Sequence, residues 1–376
     1  MAIDKVVSAS ITDSSVTSAK VASGVLQPNF RNIIINGDMS IAQRSTSVSG
    51  IDGTEAGYKT VDRMYTEISD AGTWTQSQDT TVPTAQGFAT SLKMDCTTAD
   101  STPTFLSVET YFEGQNLQNL KKGTSSAVST TLSFWVRSSK TGTHIAELRD
   151  YDNNRTISQA YTISSADTWE KKTLTYAGDT SGALGNDNGK SLGVTFFLAV
   201  SSTYSSGTLA TSWESRTNAN RAVGQVNLAD STSNEWYITG VQLETGTAAS
   251  DFEFLPVDVN LQRCLRYCII VGDSPDGRDF SKEANVGMYY TATGFYGNTF
   301  FQTPMRSAPT ASIQGGNDAA KVFSNGSSRT SASIGLNGAS RSNMSFAVST
   351  SSATSGDSGT FDWNGAGHYC ICSAEL

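Results

Sequence analysis

The strongest constraint on this chain is a recurring pattern of short blocks in which apolar and polar side chains alternate, set between clusters of Gly, Asn and Ser. Residues 131–137 (Thr-Leu-Ser-Phe-Trp-Val-Arg), 173–176 and 235–244 alternate over much of their length, and residues 192–200 are almost continuously apolar. A period of two sends successive side chains to opposite faces of an extended strand, so each block offers one apolar face to a core. The unbroken run at 192–200 reads as a central strand covered on both sides. Turn clusters such as 182–189 (Gly-Ala-Leu-Gly-Asn-Asp-Asn-Gly) separate the blocks. Charged residues make up only 16% of the chain, so the Glu, Lys and Arg that dress helical surfaces are scarce. The expectation is an all-β protein whose many short strands form a two-sheet sandwich.

With 376 residues there is room for two or three domains. Residues 1–28 carry isolated aliphatics (Val7, Ile11, Val16, Val21, Val25) among small polar residues. Such a segment cannot bury a core alone and reads as an attachment arm whose thin apolar seam is shared with other copies or a partner. Residues 29–257 hold the sandwich, opening on a strand-like run at 32–38. Residues 258–268 switch period: Leu261, Cys264, Leu265 and Cys268 fall on one helix face, with Asp258 as the expected N-cap. Residues 269–376 return to strand-like blocks (286–290, 300–301, 345–348, 369–372) and form a smaller β-rich tip, with loops expected near 272–280, 291–299 and 349–368.

Several chemistries find no support. Net charge is −9 and no basic stripe is visible, which argues against nucleic acid and suits the reading of neutral sugars. No run approaches the ~20 apolar residues of a membrane span, so no membrane insertion is expected. The first five residues lack the apolar core of an export signal. There is no phosphate-binding Gly loop. The two histidines, His144 and His368, lack a nucleophile partner, and no spacing singles out a carboxylate pair, so no catalytic residue is assigned. Of the five cysteines, Cys264, Cys268, Cys370 and Cys372 sit in apolar stripes and read as core rather than as a zinc set; no metal ligand is assigned.

Several runs resemble tail-fibre proteins of tailed bacteriophages. Residues 11–22 (Ile-Thr-Asp-Ser-Ser-Val-Thr-Ser-Ala-Lys-Val-Ala) resemble repeats near fibre attachment regions. Residues 32–44 (Asn-Ile-Ile-Ile-Asn-Gly-Asp-Met-Ser-Ile-Ala-Gln-Arg), 132–136 and 238–244 resemble a phage sandwich domain similar to jelly-roll carbohydrate-binding modules. Residues 261–267, 303–310 and the closing Ser373-Ala374-Glu375-Leu376 resemble the linker helix and tip of such fibres. The resemblance implies a jelly-roll β-sandwich, a short linker helix, a second smaller β-sandwich and an extended N-terminal arm. It implies a homotrimer on the outer surface of the virion, bound to a tail or baseplate protein through the arm and to host surface polysaccharide, with the tip and its loops near 272–280, 291–299 and 349–368 expected to touch the host. The short arm favours a stubby fibre close to the particle. Two alternatives are a decorating structural protein without a receptor role and a polysaccharide depolymerase.

Sugar recognition needs aromatic faces beside polar side chains. Trp74, Tyr151, Trp169, Tyr204 and Trp213 lie in or near polar stretches of the sandwich; Tyr290, Tyr296 and Trp363 lie in the tip. These are the expected glycan contacts, while Trp135 and Trp236, within strand patterns, are expected in the core. No cofactor is expected beyond a structural calcium ion of the kind such modules hold, with Asp52, Asp62 and Asp251 placed to serve it.

Overall fold

The computed structural model describes residues 30–273, 285–365 and 367–376. The arm positions Val7, Ile11, Val16, Val21 and Val25 lie outside the described residues. In chain order the first unit contains β1 (Ser47–Ile51), β2 (Gly57–Tyr58), β3 (Tyr65–Ser69), β4 (Thr73–Asp79), β5 (Ser91–Thr98), β6 (Phe105–Glu113) and β7 (Thr130–Ser138). It continues with β8 (Gly142–Asp150), β9 (Arg155–Ile163), β10 (Glu170–Tyr176), β11 (Lys190–Val200), the single-turn helix α1 (Ser202–Ser205), β12 (Glu214–Ser215) and β13 (Glu235–Thr245). They form two antiparallel sheets of jelly-roll type: six strands in the order β1-β4-β5-β13-β7-β10, and seven in the order β12-β9-β8-β11-β6-β3-β2. Alternation explains the packing. On β7, Leu132, Phe134 and Val136 enter the core between the sheets. They meet Trp74 from β4, Trp236 from β13 and Phe196 from β11. Each such side chain contributes roughly 1.5–3 kcal/mol on burial.

The tip follows α2 (Val257–Leu265). Its strands are β14 (Cys268–Asp273), β15 (Asn285–Tyr289), β16 (Gly294–Phe300), β17 (Thr310–Gln314), β18 (Ala320–Ser324), β19 (Ser327–Thr330), β20 (Ser333–Ala339), β21 (Asn343–Ser349), β22 (Ser358–Trp363) and β23 (His368–Ser373). A three-stranded sheet, β14-β23-β17, faces a seven-stranded one, β19-β18-β22-β15-β16-β21-β20. Cys370 and Cys372 on the small sheet and Tyr289, Phe295, Phe346 and Phe361 on the large one share a core. The fold is therefore nearly all β, as the alternation demands. No helix among the described residues is long and apolar enough to cross a membrane.

Several local expectations are corrected. Residues 32–38 form turns rather than a strand. There Asn36, at φ 61°, donates from its amide to the carbonyls of Ile41 and Asp62, replacing a strand ladder with side-chain bonds. The N-cap of α2 is Pro256, and Asp258 sits within the first turn. Cys268 begins β14 instead of ending the helix, because its backbone pairs with Ser373. The stretch 291–299 is largely strand β16, and 349–368 contains β22. Of the 272–280 stretch, 274–280 lies outside the described residues. Trp135 is half-exposed, since β7 turns Phe134 and Val136 inward and Trp135 outward.

The two units are joined by buried polar contacts. Arg63, fully buried, donates to Glu375 and lies 3.7 Å over the Tyr267 ring. Arg44 pairs with the same carboxylate at 3.3 Å. Arg266 reaches Glu113 with two bonds of 2.7 and 2.6 Å, and Gln43 donates to the Cys268 carbonyl at 2.8 Å. A cleft of about 870 Å³ opens at this junction. Its arginines are engaged: Arg31 with Glu244, Arg266 with Glu113, Arg263 with the Asn32 carbonyl and Arg341 with the Met305 carbonyl.

Candidate functional site

The residues that β6 and β8 turn away from the core are polar and aromatic. On β6, Leu106, Val108 and Phe112 face inward, leaving Ser107, Glu109 and Tyr111 on the outer face. On β8, Ala146 and Leu148 face inward, leaving Glu147 and Arg149 outside. Antiparallel register aligns them in rows. Thr195 of β11 lies between Glu109 of β6 and Glu147 of β8, and Tyr65 of β3 lies beyond Glu109. In the next row Gly193 lies between Tyr111 and Arg149.

Half of this face is covered. The segment between β11 and β13 folds back across it, with the Tyr204 ring 4.8 Å from Phe105 and Gln225 accepting from the Ile145 amide at 2.8 Å. Arg221 from this segment grips Glu147 with bonds of 2.8 and 2.6 Å, fully buried. The other half is open, with Tyr65, Glu67, Arg149, Tyr151, Lys190 and Arg216 half-exposed around a floor of Glu109, Tyr111, Gly193 and Thr195.

Gly193 shapes the floor. A Cβ there would stand 3.0 Å from Tyr111 and 3.1 Å from Tyr151. Its absence lets the two rings meet edge to face at 5.7 Å. Lys190 Nζ sits 3.5 Å from the Tyr111 centroid and 4.4 Å from that of Tyr151, and the Arg149 guanidinium is 4.2 Å from Tyr151. Glu109 accepts from Ser107 at 2.7 Å, Tyr111 at 2.9 Å and Tyr151 at 3.4 Å. Burial, reinforced by Glu109, pushes the Tyr111 and Tyr151 phenols up, so both remain donors at neutral pH. Burial also raises Glu67, with Glu109 adding repulsion. Burial lowers Lys190, with repulsion from Arg149 adding to it and Glu109 opposing. Arg216 is lowered by burial and then by Arg221 and Arg149. Among the described residues, Arg149 Nε, Arg216 Nε and Thr195 Oγ1 are buried here without a hydrogen-bond partner.

The aromatic residues expected from sequence fall in several places. Tyr151 is part of the open face and Tyr204 of its cover. Trp169 stands edge-on to Tyr237 at 6.2 Å on the opposite sheet. Trp213 donates to the Ala177 carbonyl at 2.7 Å and lies under Lys122 at 4.8 Å. Tyr290 and Tyr296 stack at 4.0 Å on the tip, with Tyr290 exposed. Trp74 and Trp363 are corrected: both are buried, Trp74 donating to the Ala71 carbonyl and Trp363 packing on Phe346 and Phe361, so neither ring is open to a ligand. His144 is likewise buried, stacked on Tyr161.

Sequence reasoning missed Tyr65, Glu67, Glu109, Tyr111, Arg149, Lys190 and Arg216. The signal was present in the polar alternation of Ser107, Glu109 and Tyr111, which runs opposite to the apolar face of the same block. The three aspartates expected around calcium play different parts. Asp52 accepts from Thr54 in a turn, Asp62 is buried against Gln43, and Asp251 is exposed. Among the described residues no group of three or more His, Cys, Asp or Glu side chains is placed to hold a metal ion.

No family model and no curated protein matches this chain. Among solved structures it is similar to the enzymatically active domain of tailspike protein 4 of Bacteriophage CBA120, at 14% identity over 57% of this chain and 22% of that one, with a TM-score of 0.31. A candidate sugar-binding protein from Bacteroides thetaiotaomicron VPI-5482 is similar at 12% identity over 57% of this chain and all of that one, TM-score 0.32. A CBM4 structure is similar at 11% identity over 56% of this chain and 98% of that one, TM-score 0.28. These likenesses are weak and partial, and the reading of the site rests on its own geometry.

Proposed function

We propose that this chain is a non-enzymatic attachment protein of a tailed phage, which binds host surface glycan through the open half of its seven-stranded sandwich face. The observation that carries the proposal is the pair of half-exposed rings, Tyr65 and Tyr151, above the buried floor of Tyr111 and Gly193. It sets aromatic faces for the C–H surfaces of sugar rings beside carboxylate, hydroxyl and guanidinium groups for their hydroxyls. The sequence resemblance to tail fibres supports the virion setting. A homotrimer bound to a tail or baseplate partner would multiply weak single-site contacts through effective concentration. On the tip, exposed Val286, Met288 and Phe323 beside the Tyr290–Tyr296 stack make an apolar surface suited to a macromolecular contact.

The test is binding of the full chain to a panel of bacterial surface polysaccharides, with Tyr151→Ala beside wild type. Retention of wild type and loss on substitution supports the proposal. Absence of binding to every glycan, together with no competition against phage adsorption, overturns it. Mass measurement in solution tests the trimer.

A second reading, a polysaccharide depolymerase, has one observation in its favour. Glu67 is raised by burial and by repulsion from Glu109, the direction a carboxyl needs to act as a proton donor in acid–base cleavage. Release of reducing ends from a bound glycan, abolished by Glu67→Gln, would establish it in place of simple binding.

A further inference from the structure

We infer that the glycan taken by this face is acidic, carrying sugar carboxylates such as those of uronic acid residues. The inference rests on the glycan-binding reading and names its ligand class. It starts from cations without counter-ions. Arg149, Lys190 and Arg216 are half-buried on one side of the open face, and among the described residues none has a carboxylate within ion-pair distance. Elsewhere the sandwich pairs the cations it covers: Lys122 with Asp150 and Asp179, and Arg155 with Asp179. In a chain with 35 acidic and 26 basic residues, counter-ions are not scarce.

Leaving a cation partly desolvated and unpaired is costly, and gathering several adds repulsion. Arg149 Nε and Arg216 Nε are buried donors without a hydrogen-bond partner among the described residues. A carboxylate arriving between them would supply both the charge and the acceptors, and the planar guanidinium fork matches a planar carboxylate with two parallel bonds. Glu109 keeps its negative charge while accepting from Ser107, Tyr111 and Tyr151, and it lies on β6 with β11 between it and Arg149 on β8, so the ligand carboxylate fits on the arginine side of the face. Glu67 lies across the sheet on β3, whereas Arg149 lies on β8 beyond β11 and β6. A sugar chain crossing the strands would therefore set its carboxylate over the arginines, a ring against the half-exposed Tyr151, and hydroxyls toward Glu67. This reverses the expectation of neutral sugars: within an overall charge of −9, Arg149, Lys190 and Arg216 gather on one side of the face.

The experiment measures binding of the full chain to polygalacturonate, alginate, hyaluronate and polysialate, each beside its carboxyl-reduced counterpart, with dextran and dextran sulfate as further probes. The expected result is that at least one acidic polymer binds tenfold or more tighter than its reduced form and weakens with salt. Arg149→Gln and Arg216→Gln should each erase that preference while melting with wild type, and Lys171→Gln, an exposed cation on the opposite sheet, should leave it intact. Equal binding of acid and reduced forms, dextran sulfate bound as tightly as any carboxylate polymer, or full preference in both arginine variants would overturn the inference. If neutral glycans alone bind through Tyr151, the ligand class falls and the glycan-binding reading stands. If no glycan binds, that reading falls as well.

Discussion

The two outer faces of the sandwich carry similar residues and treat them differently. On the six-stranded sheet, Lys93 bonds Glu235 at 2.6 Å and Arg137 bonds Asp167 at 2.9 Å, and both cations lie over the Tyr237 ring at 5.5 and 4.8 Å. On the seven-stranded sheet, Arg149 and Lys190 lie closer over Tyr151 and Tyr111, at 4.2 and 3.5 Å, but without carboxylate partners among the described residues. Aromatic rings and cations together therefore do not mark a site. The difference lies in the half-buried cations: Lys93 and Arg137 each have a carboxylate partner, whereas Arg149 and Lys190 have none among the described residues.

The largest effect should come from the covered half of the seven-stranded face. There the Glu147–Arg221 pair is buried, so removing one partner strands the other charge. Arg221→Met should cost about 3–5 kcal/mol in denaturant unfolding. A cost near zero would mean that the cover contributes nothing to the face and that its open half has no defined edge.

Next in size is a response to acid from the inward side of the same strand. Burial holds the His144 imidazole down at about 4, below its ordinary 6.5. Between those values the unfolded chain takes up a proton that the folded chain refuses, so stability is full above about pH 6.5 and falls as pH drops toward 4. The loss should approach about 3 kcal/mol and shrink in His144→Gln. Wild-type and variant unfolding curves that respond identically to pH would remove His144 as the cause.

A smaller change separates the faces functionally. Gly193→Ala places a Cβ against Tyr111 and Tyr151 and should cost about 1–2 kcal/mol through crowding. It should also reduce glycan binding severalfold. Unchanged binding would show that the two rings need not approach each other for the face to work. The smallest effect belongs to the opposite face. Arg137→Gln removes a surface pair and should change stability by less than about 1 kcal/mol, with no change in binding. A loss of binding there would move the site to the six-stranded sheet.

Much of the architecture is legible in the sequence. The blocks at 131–137, 192–200 and 235–244 became β7, β11 and β13, because alternation and apolar runs act through the local geometry of a strand. The switch to helical spacing at 261–265 was also legible, since Leu261, Cys264 and Leu265 share a face. The site was less so. Tyr151 was singled out by its polar neighbours and does line the open face. The same criterion chose Trp74 and Trp363, which the core absorbs.

What the amino-acid sequence determined by itself is the class of structure: a chain poor in helix formers, with apolar side chains at every second position, can bury them only in paired sheets. Which face of each strand meets water was decided by tertiary structure. Glu109 and Glu147, far apart in the chain, flank one threonine only because β6 and β8 both pair with β11. Whether a cation finds a carboxylate is likewise a matter of register between strands, and Arg149, set between Gly193 and Thr156, is supplied with none among the described residues.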